Sequence, residues 1–232
     1  MQKGLYTMTS TRHVRVTCPS CHAQGDFTVY KSINTKESPA LKAKVRDGSL
    51  FQFVCPQCGM KTTVDYPFLY HQPEDHYMIN YGKLEDGAKA LEMLRGKGVA
   101  LKDWATEMEK TTRPYVLRAV DDRLACREKL FIFDAGLDDR LVEIYKFMVC
   151  YQYAAAGKAQ GGEHAYFYTD SKGHHRIQLV RGKETLGLAD FPRKIYNQIH
   201  AEYAKKLGDI RKAEPVVDEA WARKFLTEQG QL

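Results

Sequence analysis

Runs rich in β-branched and aromatic residues, partly alternating with polar ones, mark the first third of the chain. They are His13–Thr17, Gly25–Tyr30, Leu50–Val54, Lys61–Tyr66 and Tyr77–Tyr81, and each predicts a strand. Between the second and third, Ser38-Pro39 reads as an N-cap followed by proline at the first helical position, and Gly48 as a stop. Ala40, Leu41 and Val45 give that short helix its apolar stripe. Pro67–His71 closes this region, and the polar Gly82–Gly87 reads as a hinge.

Beyond it the period changes to that of helices. Asp86–Leu94 ends at Gly96-Lys97-Gly98, and Leu101–Lys110 carries Leu101, Trp104 and Met108 at helical spacing. Tyr115–Val120 predicts a strand, and Asp121–Leu130 a helix capped by Asp121 or Asp122. Asp138-Asp139 opens the strongest helix, apolar almost all round, in which Glu143 and Lys146 are expected to pair on the one wet face. Such a helix is buried on most sides or pairs with another subunit. Ala154–Gly162 is a loop, and Ala165–Thr169 with His175–Val180 form a hairpin around Asp170–Gly173. Asp190 is expected to cap a helix running to Leu207, and Asp218 a final helix with Trp221, Phe225 and Leu226. The fold class predicted is α+β.

The sharpest chemical signal interrupts the first strands. Cys18-Pro19-Ser20-Cys21 and Cys55-Pro56-Gln57-Cys58 are two Cys-Pro-x-Cys knuckles. Each such turn gathers two sulfurs, and two turns supply the four thiolates of a tetrahedral structural site. Pro19 and Pro56 fix φ just after the first sulfur of each turn. Gly59 follows the last ligand, where positive φ is often needed; His22 takes that place in the first knuckle and must turn left-handed to match. Strand, knuckle, strand, twice over, is the plan of a zinc ribbon. Cys21 and Cys55 are separated by 33 residues, against roughly 15–20 in a plain ribbon, and the predicted helix is the insertion that makes up the excess. The expected metal ligands are Cys18, Cys21, Cys55 and Cys58. Structural zinc is favoured over iron, which uses the same four thiolates, and over a redox dithiol pair, which two neighbouring pairs would make redundant. With four protein ligands, no coordination position stays open for catalysis.

The residues Cys18 to Tyr81 resemble the CpXC domain, a bacterial family named for its two Cys-Pro-x-Cys motifs. The pieces that carry the likeness are CPSC, SINTKESPALKAKVRDGSLFQF, CPQCG and VDYPFLYH with its trailing YMINY. The stretch RAVDDRLACREKLFIFDAGLDDRLVEIYKFM also looks like the C-terminal half of longer members. The resemblance implies the ligands and the fold region, and no activity. Two domains are expected: residues 1–81, ribbon-like, and residues 82–232, mainly helical with a hairpin.

Composition changes little in this picture. The chain has 232 residues, 44% of them hydrophobic and 28% charged, and a formal net charge of +6, as in an ordinary globular protein. Four thiolates around a divalent ion would lower that charge to about +4. Met1–Arg15 is polar and mixed, so no signal peptide or membrane span is read; a cytoplasmic location, where thiols stay reduced, is the expectation. The pI of 8.9 permits a nucleic-acid partner without demanding one. Residues 82–232 hold 26 Lys+Arg against 23 Asp+Glu, a slight balance.

Other polar groups are weighed in turn. Phe51, Phe53, Tyr66, Phe68, Tyr70, Tyr77 and Tyr81 read as core, with a stacking platform or protein interface as the sharper alternative. Cys126 and Cys150 read as buried thiols. His71, Glu74, Asp75 and His76 read as an exposed loop rather than a second metal or acid–base site. His164, His174 and His175 flank the hairpin and are poorly placed to share a metal. Asp134, Asp138 and Asp139 are the only lead to acid–base or magnesium chemistry, and capping explains one of them. Arg193-Lys194, Lys205-Lys206 and Arg211-Lys212, with Tyr196, His200 and Tyr203 between them, read as a solvated helix face or, alternatively, a phosphate-contacting one. The leading expectation is a non-enzymatic binding or scaffold protein whose partner is another protein or a second copy of itself, outside any membrane. The alternative is a nucleic-acid-binding protein with a basic C-terminal helix.

Overall fold

A computed structural model describes residues 8–232, so Met1–Thr7, part of the polar N-terminal stretch, lies outside the described residues. The chain forms two compact units, one ending at Asp122 and the other spanning Arg123–Leu232. The division falls beyond the expected hinge at Gly82–Gly87, because the strand that precedes Asp122 completes the first unit's sheet.

In the first unit the strands are β1 (Ser10–Thr17), β2 (Gln24–Asn34), β3 (Gln52–Val54), β4 (Lys61–Thr63), β5 (Phe68–Gln72), β6 (Tyr77–Tyr81) and β7 (Val116–Val120). The helices are α1 (Ala40–Asp47), α2 (Leu84–Leu94) and α3 (Lys102–Thr112). A five-stranded sheet runs β1-β2-β5-β6-β7, and β3-β4 form a separate two-stranded ribbon. β1–β2 and β5–β6 are antiparallel, whereas β2–β5 and β6–β7 are parallel. Parallel neighbours need a long crossover. The segment holding α1 and the β3–β4 ribbon supplies the first, and α2 with α3 the second. The predicted insertion is therefore a topological requirement of this sheet as well as a spacer between knuckles. Pro39 already has helical dihedrals, and Gly48 ends α1 at φ 80°, the left-handed stop that glycine permits.

Gly87 lies inside α2 and not in a hinge. A Cβ there would meet Asn80 Oδ1 at 2.7 Å and Ala119 Cβ at 3.3 Å, so this glycine lets the helix lie against β6 and β7. The aromatic residues form the core of the unit. Phe51 packs on Tyr66 (5.3 Å between ring centroids) and Phe68 (5.7 Å), and Phe68 on Tyr81 (5.7 Å). In contrast, Leu101 and Trp104, expected on an apolar stripe, are exposed.

The second unit holds α4 (Arg123–Asp134), α5 (Asp139–Ala155), β8 (Glu163–Thr169), β9 (His175–Arg181), β10 (Glu184–Asp190), α6 (Arg193–Leu207) and α7 (Glu219–Glu228). The hairpin is thus a three-stranded antiparallel sheet in the order β10-β9-β8. Asp190 ends β10 instead of capping α6, and the N-cap position of α6 is Pro192. Asp138 and Asp218 do cap α5 and α7, accepting hydrogen bonds from the N–H of Arg140 and Trp221. Leu141, Val142 and Ile144 of α5 pack with Phe167, Ile177, Ile199 and Leu226 in the core of this unit. A buried α5 is therefore accounted for within its own unit. Glu143 and Lys146 do not sit on a wet face: both are buried.

Candidate metal centre

The two knuckles stand at the ends of paired strands. The first links β1 to β2, and the second links β3 to β4. Each turn is closed by the same two backbone bonds. Cys18 N–H donates to Ala23 O at 2.9 Å and His22 N–H to Cys18 O at 3.0 Å; Cys55 N–H donates to Met60 O at 2.9 Å and Gly59 N–H to Cys55 O at 3.0 Å. The equivalence extends to the residue after each second cysteine. His22 has φ 59° and Gly59 φ 72°, so the histidine takes the left-handed conformation that glycine takes in the other knuckle. Gly25 lets the two halves meet. A Cβ on it would lie 2.8 Å from Phe53 Cε2 and 3.0 Å from Pro56 Cδ, closer than packed carbon atoms approach.

The result is a compact set of four sulfurs. The Sγ atoms of Cys18, Cys21, Cys55 and Cys58 all lie within 4.8 Å of one another. Cys18–Cys58 and Cys21–Cys55 are each 3.6 Å apart. A tetrahedral ion with metal–sulfur bonds of about 2.3 Å has sulfur–sulfur edges of about 3.8 Å. The observed set fits that size, and these two close pairs each join one knuckle to the other, as a shared ion requires. All four cysteines are free thiols.

Electrostatics point the same way. The Cys58 N–H, and then that of Gln57, hold Cys55 down to about 6. Backbone N–H groups of Cys21 and Ser20 likewise lower Cys18. At Cys21 the Ala23 N–H works in the lowering direction, but crowding by the sulfurs of Cys58, Cys55 and Cys18, together with burial, wins and raises it to about 12. Oriented N–H groups thus stabilise negative sulfur at both knuckles, while mutual repulsion prevents all four from ionising without a cation. Four thiolates here can hold a metal ion and leave it no open position.

The remaining candidates are dispersed. Among the described residues, no other group of three or more His, Cys, Asp or Glu side chains is gathered for a metal. His71 is buried, not in an exposed loop; it shares a hydrogen bond of 3.1 Å with Tyr115 Oη, and its Nδ1 lacks a partner. Burial lowers its pKa. Glu74 accepts from Thr35 Oγ1 at 2.8 Å, and Asp75 from Gln72 Nε2, so these acids tie down the turn between β5 and β6. His174 pairs with Asp170, and His175 with Thr169. Cys126 is buried, and burial pushes Cys150 up to about 11, far from a reactive thiolate.

Asp138 and Asp139 turn to different partners. Asp138 accepts from Arg140, whose guanidinium also reaches the carbonyls of Leu207 and Gly208. Asp139 belongs to a buried charge cluster of α4 and α5. Lys129 donates to Asp139 (2.8 Å), Glu143 (3.2 Å) and Val217 O (2.8 Å). Lys146 donates to Glu128 (2.8 Å) and Glu143 (3.0 Å), and Glu128 also accepts from Phe167 N–H. Three carboxylates thus face two ammonium groups. Burial first, and then Glu143, push Glu128 up to about 7 against the pull of both lysines. For Lys146, burial favours the neutral form, but Glu128 and Glu143 outweigh it and hold the ammonium charged.

Phe51, Phe53, Tyr66, Phe68, Tyr70, Tyr77 and Tyr81 offer no face for stacking, because all are buried. In α6, Tyr196 and Tyr203 are buried too. Arg193 lies 5.0 Å over Tyr196 and Lys206 5.4 Å over Tyr203, while Arg211 pairs with Asp209. No helix among the described residues is long and apolar enough to cross a membrane.

No curated protein and no solved structure matches the chain. A family model described as CpXC protein matches residues 16–146. The match takes in both knuckles, the end of β1 with the other four strands of its sheet, and every charged residue of the buried cluster. On the two knuckles and that matched span, the chain belongs to the CpXC family.

Proposed function

We propose that the four cysteines hold one structural Zn²⁺, making the knuckle region a zinc ribbon with a helical insertion, and that the protein acts as a non-enzymatic interaction or scaffold module. The observation that carries this reading is the closed set of four sulfurs, with inter-knuckle distances of 3.6 Å. Zinc has no geometric demand beyond such a tetrahedron, and a fully protein-ligated site serves folding rather than chemistry. Iron is the less favoured occupant of the same ligands. A reducing compartment such as the cytoplasm suits free thiols. Partners are expected to be proteins, a second copy included. Purification of the native protein from its host, with and without nuclease, followed by mass spectrometry, tests the reading. Partners or self-association that survive nuclease are expected; their absence would overturn it. The nucleic-acid alternative rests on exposed cations alone, and affinity falling steeply with salt is its signature.

A further inference from the structure

Among the described residues, no strand pairs with the outer edge of β1. β1 is the terminal strand of its sheet and pairs with β2 along its whole length. None of its eight residues is buried, and it contains neither proline nor glycine. Its one irregularity is at Ser10/Thr11. An edge of this kind presents a row of unpaired N–H and C=O groups, and proteins usually blunt it by shortness, proline, a bulge or charge; past that irregularity β1 carries only charge, in Arg12 and Arg15. The first knuckle, following directly at Cys18, fixes the end of the strand.

The side chains of β1 restrict what can pair with it. Successive residues point to opposite faces. Arg12 therefore shares a face with Val14 and Val16, and Arg15 with Thr11 and His13. Arg12 has no ion-pair partner among the described residues. Arg15 lies 3.5 Å from Asp26, but both side chains are more than two-thirds exposed, so water screens that pair and leaves the guanidinium accessible. β1 contains no Asp or Glu, so a second copy paired edge to edge supplies no carboxylate to Arg12 or Arg15 in any register. A strand with a carboxylate opposite Arg15, an apolar residue opposite Val14 and a carboxylate opposite Arg12 supplies what a second copy lacks. Read N to C in the antiparallel sense, its order is acid, apolar, any, acid.

We propose that β1 is a docking edge that takes an extended acidic segment of another protein by strand addition, in that order. This deepens the interaction-module reading and rests on it. Main-chain hydrogen bonds supply the affinity of such additions, and side chains supply the selection.

The test uses the full zinc-loaded chain and two synthetic peptides, Ser-Glu-Val-Thr-Glu-Val-Thr and its counterpart with both Glu replaced by Lys. Fluorescence anisotropy is measured for the wild type and for R12E/R15E, whose metal content and circular dichroism check its fold. The wild type should prefer the Glu peptide by about tenfold, from two cross-strand charge pairs made or opposed. The variant should prefer the Lys peptide. Hydrogen exchange of β1 amides should slow with the Glu peptide, and N-methylation of its strand-facing amides should abolish binding. Equal binding of both peptides, or a preference unchanged in R12E/R15E, would overturn the proposal. So would a single-stranded oligonucleotide that binds the wild type more tightly than the Glu peptide and loses affinity in the variant. Co-purified proteins that stay with R12E/R15E would sink the edge alone and leave the module reading standing; no partner with either form would sink both.

Discussion

Replacing Lys129 by methionine removes a fully buried cation and keeps nearly its volume. Lys129 is 1% exposed and is the shared donor to Asp139, Glu143 and the Val217 carbonyl. Without it, the three carboxylates of the cluster face the Lys146 ammonium alone. Removing one partner of a buried ion pair costs about 3–5 kcal/mol, because the other charge stays buried and uncompensated. The orphaned carbonyl adds to that cost. The expected loss is a more than hundredfold drop in the folded-to-unfolded ratio of the second unit. Urea unfolding, read by exchange protection of α5 amides, measures it. Since protonation removes the uncompensated charge, the deficit relative to wild type should shrink as pH is lowered. A loss below about 1 kcal/mol, independent of pH, would refute the reasoning and show the cluster to be solvated.

Three further predictions follow from the same geometry. Glu128 is raised to about 7 in the folded chain from an ordinary 4.5, so its contribution to stability is complete below about pH 4.5 and is lost as pH rises through 7. Glu128→Gln, which mimics the protonated acid, should flatten that decline in a pH series of urea midpoints. Chelation should expose the amides around both knuckles to exchange while leaving those of α5 protected, since the metal site lies in the first unit and its binding energy is folding energy there. Gly25→Ala forces a Cβ into Phe53 and Pro56; a cost of about 1–3 kcal/mol should appear as weaker metal retention in a chelator competition, whereas Gly187→Ala, which meets nothing within 4 Å and has no left-handed backbone, should retain the metal.

What the sequence made legible was local. Two Cys-Pro-x-Cys turns single out four cysteines by spacing, and the fold gathers their sulfurs; His22, which departs from the glycine of the second knuckle, takes the left-handed conformation that its place calls for. Caps at Asp138 and Asp218 were readable because a short acidic side chain before an apolar run has one obvious use. The misreadings came from tertiary context. Glu143 and Lys146 look like an exposed pair because charge usually means water. Yet Asp139, Glu143 and Lys146 fall at i, i+4 and i+7, one stripe of an otherwise apolar helix, and adjacent Glu128-Lys129 on α4 complements it. That stripe was the available signal. β10 was missed because Gly187 and a bulge between Thr185 and Gly187 interrupt its pattern. The parallel pairing of β2 with β5 and β6 with β7 could not be read from strand patterns at all, since register between distant segments leaves no local mark.

The most direct test of the four-thiolate centre is native mass spectrometry of the full chain, isolated under reducing conditions, with Cys58→Ser beside it. The wild type should carry one zinc ion per chain, with the four thiols protected from alkylation until the metal is chelated. Cys58→Ser should lose the ion or hold it far more weakly. A metal-free wild type with freely alkylated cysteines, or one in which Cys18–Cys21 and Cys55–Cys58 form disulfides, would contradict the account.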